Sequence, residues 1–537
     1  MWGGRLSTAR WSSDPASPAE PANASAGSPG AAAGDSLSGS IRQAVRWACL
    51  VRLCRTLGPW HACPMYIRRL VCRNVRGFAE IDLDFCPMYE GPSRIERRRE
   101  IEALSLIDNL LEPGSDVDRS PFPGWTVITG DNGAGKSTIL KSIALALLGP
   151  DNARWLVPNY DGWVTVGEPS GSISLEVLPD NAIDRTRAGG HPYKDTFWAE
   201  VAIRRDQDQP GGAPWVVSSA DRFKNKKVGA EKGPWQLAPT GWLAIGYGPF
   251  RRMYGSSPQA AGLEADALKS RFTTLFLEDA TLIGAEKWLQ ELDYAMVRSP
   301  YPEVKQRSSR QLAAIQKIIS SDFLRNEMTF EGVDAGGVWL RDATNRRLRL
   351  SEMSEGYRAA LAMLIDIIRH MFLCYDDAPD SVKESNDGYV TLGLPAVILI
   401  DEIDAHLHPA WQREIGPWLT GHFPLVQFIV TTHSPLVAQA ATGGRVYVLP
   451  APGSDDLPRR VTAAEYQQLL AGDTDAALAS PAFGVKQSRS PRVVRAMQRH
   501  ATLEQLSLFE MESTQQDATR LEYDQLTTLF DGTLLDQ

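Results

Sequence analysis

No apolar run in this sequence reaches the roughly 18–20 residues that a membrane-crossing helix needs, so a soluble chain is expected. Cysteine is scarce: six residues in 537 (Cys49, Cys54, Cys63, Cys72, Cys86 and Cys374), with no C-x-x-C pair. Such spacing supports neither a disulfide framework nor a zinc knuckle, and it suits a reducing cytoplasm. An excess of positive charge is missing too. Lysine and arginine number 56 against 65 acidic residues, net −9, which argues against a uniformly basic nucleic-acid binder. Any DNA contact is confined to local stretches such as 94–99 (RIERRR) and 224–227 (KNKK). There is no internal repeat and no sustained heptad series, so a long coiled-coil arm is not expected.

The first 64 residues contain no lysine and are dominated by Ser, Ala, Gly and Pro, a composition that cannot bury a core. They read as a disordered or wrongly annotated extension, because Met65 opens a period-2 pattern like a natural start. From there strands are predicted at 66–73, 79–85 and 125–129, then at 170–178, 196–205 and 242–248. The region 256–325 has helical periodicity. Two apolar runs, 396–400 (AVILI) and 427–432 (QFIVTT), read as buried parallel strands of an α/β core. The expected organisation is a head over 65–440, with a β lobe at about 150–250 and a helical insertion at about 256–325. A mostly helical region, 441–537, follows and ends in an acidic tail.

Residues 130–138 (GDNGAGKST) follow a strand and open an apolar helix, the sequence and setting of a phosphate-binding P-loop. Gly130, Gly133 and Gly135 let the backbone turn so that N–H groups from Gly130, Asp131, Asn132, Gly133, Ala134, Gly135, Lys136, Ser137 and Thr138 can face phosphate oxygens. Lys136 would reach the β- and γ-phosphates, and Ser137 would ligate magnesium. In 397–409 (VILIDEIDAHLHP) an apolar strand ends in two carboxylates. Asp401 can hold the metal's shell, and Glu402 can orient and deprotonate water. The strand 428–435 (FIVTTHSP) ends in His433, a candidate γ-phosphate sensor. His406 and His408 form an H-x-H pair, read as helix-start packing because no third metal ligand is near. A second helix start, 350–359 (LSEMSEGYRA), offers Ser354 and the Gly356 N–H to an anion.

This order of motifs resembles the ABC-type ATPases, and the Met65 start with NVRGF is similar to their SMC/RecF branch. The resemblance covers about residues 65–440. Further stretches, GYGPFRR (246–252), FTTLFLEDATLIGAEKWL (272–289) and ALASPAFGVKQSRSP (477–491), are similar to the bacterial anti-phage ATPases of Septu and retron systems. The fold implied is α/β, a P-loop NTPase of ABC type with an antiparallel β lobe, a short helical insertion and a mostly helical C-terminal region. The ligands implied are ATP and Mg2+.

The resemblance also implies a homodimer or higher oligomer of head-to-tail heads. In it Ser354 and Gly356 cap the nucleotide held by the other copy. Asp404 is carried over to the dimer seam and Arg76 to a position near phosphate. The glutamine loop is not identified; GYGPFRR takes its place, with Arg251 or Arg252 as contacts. OLD-type nucleases append a TOPRIM domain of which the residues after His433 show no sign, so a separate effector, such as an HNH-type nuclease, is the expected partner. Other readings stay open: a RecF-like DNA-repair ATPase, a nucleotide-sensing scaffold with little turnover and, more remotely, a transporter subunit. The tail 501–537 has apolar residues at helical spacing, suited to self-packing or to a partner.

Overall fold

A computed structural model describes residues 65–85, 124–179, 184, 196–204, 215–218, 228–236, 241–264, 266, 268–324, 328–375, 378–386, 388–441, 445–454, 456–472, 474–483, 491–506 and 513–530. The N-terminal extension and both basic stretches lie outside them.

Two sheets carry the architecture. An antiparallel lobe is built from β1 (Tyr66–Val75), β2 (Phe78–Asp84), β4 (Ser170–Leu178), β5 (Phe197–Arg204) and β6 (Trp215–Ser218), in the order β2-β1-β4-β5-β6. The second sheet runs β16-β15-β3-β14-β13-β7. Its members are β3 (Gly124–Thr129), β7 (Ala244–Tyr247), β13 (Ala396–Ile400), β14 (Val426–Thr431), β15 (Val446–Val448) and β16 (Arg459–Arg460). All pairings in it are parallel except β15 with β16.

The continuous apolar run of β13 follows from burial on both faces. Val397 and Leu399 pack into a core shared with the lobe and with helix α1 (Lys136–Leu156). Ile398 and Ile400 pack into the opposite core. That opposite core holds the helix pair α2 (Ile283–Arg298) and α3 (Pro302–Ile319), the long helix α4 (Glu355–Cys374) and α5 (Pro409–His422). Gln427, fully buried in β14, bonds the Ile67 N–H (2.8 Å) and carbonyl (2.9 Å) and so joins the sheet to the lobe.

The structure holds strands beyond those expected, among them β6 and a two-stranded hairpin of β11 (Val382–Glu384) and β12 (Val390–Leu392). A three-stranded antiparallel sheet of β8 (Thr329–Asp334), β9 (Gly337–Arg341) and β10 (Arg347–Arg349) comes between the helix pair and α4 in the chain. And the stretch after residue 440 first contributes β15 and β16 to the central sheet before its helices begin. The last two helices, α6 (Pro491–Leu506) and α7 (Ser513–Phe530), pack on each other. His500 stacks on Tyr523 at 4.5 Å, and the Arg499–Glu522 pair closes beside it. Among the described residues no helix is long and apolar enough to cross a membrane.

Candidate active site

The site lies where β3, β14 and β13, three adjacent parallel strands, end. Loops leaving the carboxyl ends of such strands are where α/β sheets bind ligands. The 130–135 loop follows β3. It needs glycine at Gly130, Gly133 and Gly135, whose φ values are +151°, +80° and +93°, a region costly for any side chain. A Cβ at Gly135 would also collide with the Phe78 ring. The Lys136 ammonium donates to the Gly130 carbonyl (2.9 Å) and the Asp131 carbonyl (3.0 Å), inside the loop's own curve. Its pKa is lowered by burial, while Glu402, Asp401, Asp131 and Asp404 pull the other way. One cation thus senses carboxylates from two loops.

Asp131 and Asn132 are exposed at the loop's crown, Ala134 and Thr138 are buried, and Ser137 is half-buried behind Lys136. Arg76 sits in the β1–β2 turn at φ +53°, its guanidinium over the Trp163 ring at 4.2 Å and its Nη1 3.4 Å from Thr138 Oγ1. Burial lowers its pKa. The lobe therefore delivers an arginine to the first turn of the P-loop helix.

The acidic turn follows β13. Asp401 is 2% exposed, and its Oδ1 accepts from Thr431 Oγ1 at 2.5 Å. The same hydroxyl accepts the Glu402 N–H at 2.7 Å, so one threonine fixes both acidic residues. Glu402 has φ +45° and His406 φ +64°. Residues other than glycine hold such angles at a cost of about 1–3 kcal/mol each, and only where the surroundings enforce them. Thr432 Oγ1 donates to Asp404 Oδ1 (2.5 Å) and accepts the Ser434 N–H (2.9 Å). Ser434 in turn donates to Gln412 on α5 (2.7 Å). His433, between these residues, is exposed at the end of β14. His408 Nδ1 accepts the Ala410 N–H at 3.2 Å and caps α5, a helix-start role.

Of the two arginines of GYGPFRR, either of which was offered as a contact in the glutamine loop's place, one faces inward and one outward. β7 does flank β13, but Arg251 turns back into the protein and bonds the carbonyls of the acidic turn. Burial lowers its pKa to about 10, against the pull of Asp401, Asp404 and Glu402. Arg252 is exposed and stacks over Phe250 at 5.3 Å. Sequence reasoning also missed Thr431 and Thr432. Their signal, two hydroxyls directly before His433, was masked by the β-branched character any buried strand favours.

Ser354 and Gly356 open α4. Ser354 is exposed and makes no side-chain cap of its own helix, and Glu355 points to solvent. Gly356 packs against the carbonyl of His406, so closely that a Cβ there would stand 2.2 Å from that oxygen. The helix start and the acidic turn are thus in direct contact.

The donor set offered to a metal, the Ser137 hydroxyl and the Asp401 carboxylate, is all oxygen and small in number. That suits magnesium, which keeps waters and phosphate oxygens as its other ligands. Among the described residues no group of three or more His, Cys, Asp or Glu could hold a metal by itself.

Two family models match the chain: one described as an AAA domain over residues 69–156, the other as an AAA domain, putative AbiEii toxin, Type IV TA system, over 271–438. The sequence is 24% identical over 386 residues to the Septu protein PtuA of Bacillus mycoides (strain KBAB4), covering 71% of this chain and 44% of that one. It is 40% identical over 108 residues to the Retron Ec83 probable ATPase of Escherichia coli, covering 20% of this chain and 18% of the other. The Retron Vc95 probable ATPase of Vibrio cholerae is similar over 102 residues at 34%, 19% of this chain and 18% of that one. This chain thus spans less than half the length of these relatives. Among solved structures, an SmcHead bound to the C-winged helix domain of ScpA matches at 16% identity and TM-score 0.39, covering 74% of this chain and 97% of that one.

Proposed function

We propose that this chain, an ATPase of AAA/SMC type related to the Septu and retron proteins, binds and hydrolyses ATP between two head-to-tail copies and thereby regulates a partner effector in anti-phage defence. The observation that carries this reading is the placement of two loops at one end of the sheet: the 130–135 loop leaves β3 and the acidic turn leaves β13, on either side of β14, whose Thr431 hydroxyl binds Asp401 and the Glu402 N–H.

Loop N–H groups and Lys136 would hold the β- and γ-phosphates and stabilise the charge that develops there. Ser137 and Asp401 would hold magnesium, which would neutralise phosphate charge when bound. Glu402 takes a proton from water as the water oxygen forms its bond to the γ-phosphorus. The bond from that phosphorus to the β–γ bridging oxygen breaks, and its electron pair leaves with ADP; inorganic phosphate is the second product. His433, exposed at the strand end, would orient the γ-phosphate, and Arg76 and Asp404 would contact nucleotide or the seam. Ser354 and the Gly356 N–H would complete the site of the other copy. The effector is proposed as a nuclease in another chain, by analogy with the Septu system.

Steady-state phosphate release by wild type and by Glu402→Gln is the test, with nucleotide binding and sedimentation measured in parallel. Release is expected to fall by about 100-fold or more on loss of a general base, with ATP binding retained and a dimer trapped by ATP. Equal, near-zero rates in both would favour a nucleotide-sensing scaffold. A rate unaffected by Glu402→Gln would overturn the assigned chemistry.

A further inference from the structure

The acidic turn is held from below by one side chain. Arg251 is 4% exposed. Its Nη1 donates to the carbonyls of Asp401 (2.8 Å) and Gly248 (3.1 Å), and its Nη2 to those of Glu402 (3.1 Å), Ala405 (3.2 Å) and Ile403 (3.4 Å). Four of the five acceptors belong to the turn 401–405. They lie on both sides of Glu402, whose φ of +45° the chain would not keep unaided.

Removing a guanidinium from water is costly unless its N–H groups are satisfied and charges of opposite sign lie near. Here both terminal nitrogens, Nη1 and Nη2, donate to carbonyls, and Asp401, Glu402 and Asp404 supply the opposite charge. The planar fork is what allows one residue to bind so many carbonyls, and a lysine at this place would offer three donors from a single point. A buried arginine whose Nη1 and Nη2 are both spent on backbone oxygens is a structural clamp on the turn. Its effect is to fix where the turn's side chains start.

We propose that Arg251 is a positioning residue for hydrolysis: by clamping the carbonyls of 401–405 it holds the Glu402 carboxylate where it can deprotonate the water that attacks the γ-phosphorus, without touching nucleotide. This rests on the reading of Glu402 as the general base. A displacement of about 1 Å at a reacting group can cost on the order of 100-fold in rate, whereas nucleotide is held chiefly by the 130–138 loop.

The experiment compares wild type, Arg251→Lys, Glu402→Gln and the double variant for phosphate release, affinity for a fluorescent ATP analogue and thermal unfolding. Arg251→Lys is expected to bind the analogue within about threefold of wild type and to release phosphate about 10–100-fold more slowly. In the Glu402→Gln background it is expected to cause no further loss, because a residue acting only through another is silent once that one is gone. An equal fractional loss in both backgrounds, a loss of affinity in step with rate, or full activity of Arg251→Lys would overturn the inference. If Glu402→Gln is itself fully active, the base assignment fails and this inference with it. If Glu402→Gln is slow while Arg251→Lys is not, the inference alone fails. Should Arg251→Lys not fold, Arg251→Met, of similar length and with no charge to bury, is read in the same assays. If neither folds, Arg251 serves the fold rather than the rate and the inference is refuted.

Discussion

Replacing Gly356 by alanine separates two reasons for a glycine at the start of α4. An alanine keeps the N–H that would serve as an anion donor, so a role resting on that N–H alone predicts little change. The structure predicts otherwise, because the added methyl would stand 2.2 Å from the His406 carbonyl oxygen, and the obstacle is backbone. Relief requires a shift of roughly an ångström by α4 or by a turn fastened by Arg251 and Thr431.

Overpacking of this kind costs about 1–3 kcal/mol, and helix propensity returns about 0.5–1 kcal/mol of it for a Gly→Ala change. The net expectation is a loss of about 0–2.5 kcal/mol, from the difference of those two ranges. Gly262 is the control: it lies in a helix (Pro258–Glu264), and nothing stands within 4 Å of a Cβ placed there. Gly262→Ala should therefore stabilise by the propensity term alone. Urea unfolding of the two variants beside wild type gives the answer as a sign. If Gly356→Ala is as stable as Gly262→Ala, the close approach of helix and turn is wrong.

Two further outcomes follow from the same geometry. Thr431→Val removes the hydroxyl shared by buried Asp401 and the half-buried Glu402 N–H, leaving each short of a partner at about 1–3 kcal/mol. Phosphate release should drop about tenfold or more if that energy falls on the turn, Thr431→Ser should retain most of it, and a fully active valine variant would contradict the assignment. His370, buried on α4 with its Nε2 3.5 Å from Asp366 and with Arg369 and Arg271 also facing it, has its pKa lowered from 6.5 chiefly by burial. The unfolded chain then takes up a proton first as pH falls, so this contribution to stability is complete above 6.5 and is lost on acidification through and below that value. Between pH 7.5 and 5.5 wild type should lose more stability in urea than His370→Gln does; identical losses would show that His370 is not the group titrating.

The parts of the chain legible in its sequence share a physical property: each states its environment locally. AVILI at 396–400 can only be buried on both faces, and the glycines of 130–135 can only serve a turn at positive φ, so central strands and phosphate loop were readable. The strands of residues 329–349 were not, because their half-exposed faces carry Glu331, Arg341, Arg347 and Arg349, whose ion pairs and stacking over Trp339 hold the sheet in place of an apolar alternation. β15 and β16, three and two residues long, are too short for any period to show. In the site, Arg251 was recognisable as a residue type but not by its target. Four of its five acceptors lie some 150 positions away, and nothing near GYGPFRR says whether an arginine will face a phosphate or a row of carbonyls.

The helix that begins at Ser354 reaches the acidic residues by two routes. At its first turn Gly356 rests on the His406 carbonyl, at the far end of the 401–406 turn. Ten residues on, about 15 Å along the axis at 1.5 Å per residue, Asp366 accepts the Tyr247 hydroxyl at 3.0 Å. Tyr247 closes β7, four residues before Arg251. A rigid helix attached at both points cannot move at one end without straining the turn directly or the strand that carries its clamp. Glu402 is therefore held by three attachments of different chemistry: a threonine hydroxyl from β14, an arginine fork from the end of β7 and a glycine contact from α4. Of these only the last lies beside an exposed serine, so it is the one that a second molecule arriving at Ser354 could act upon.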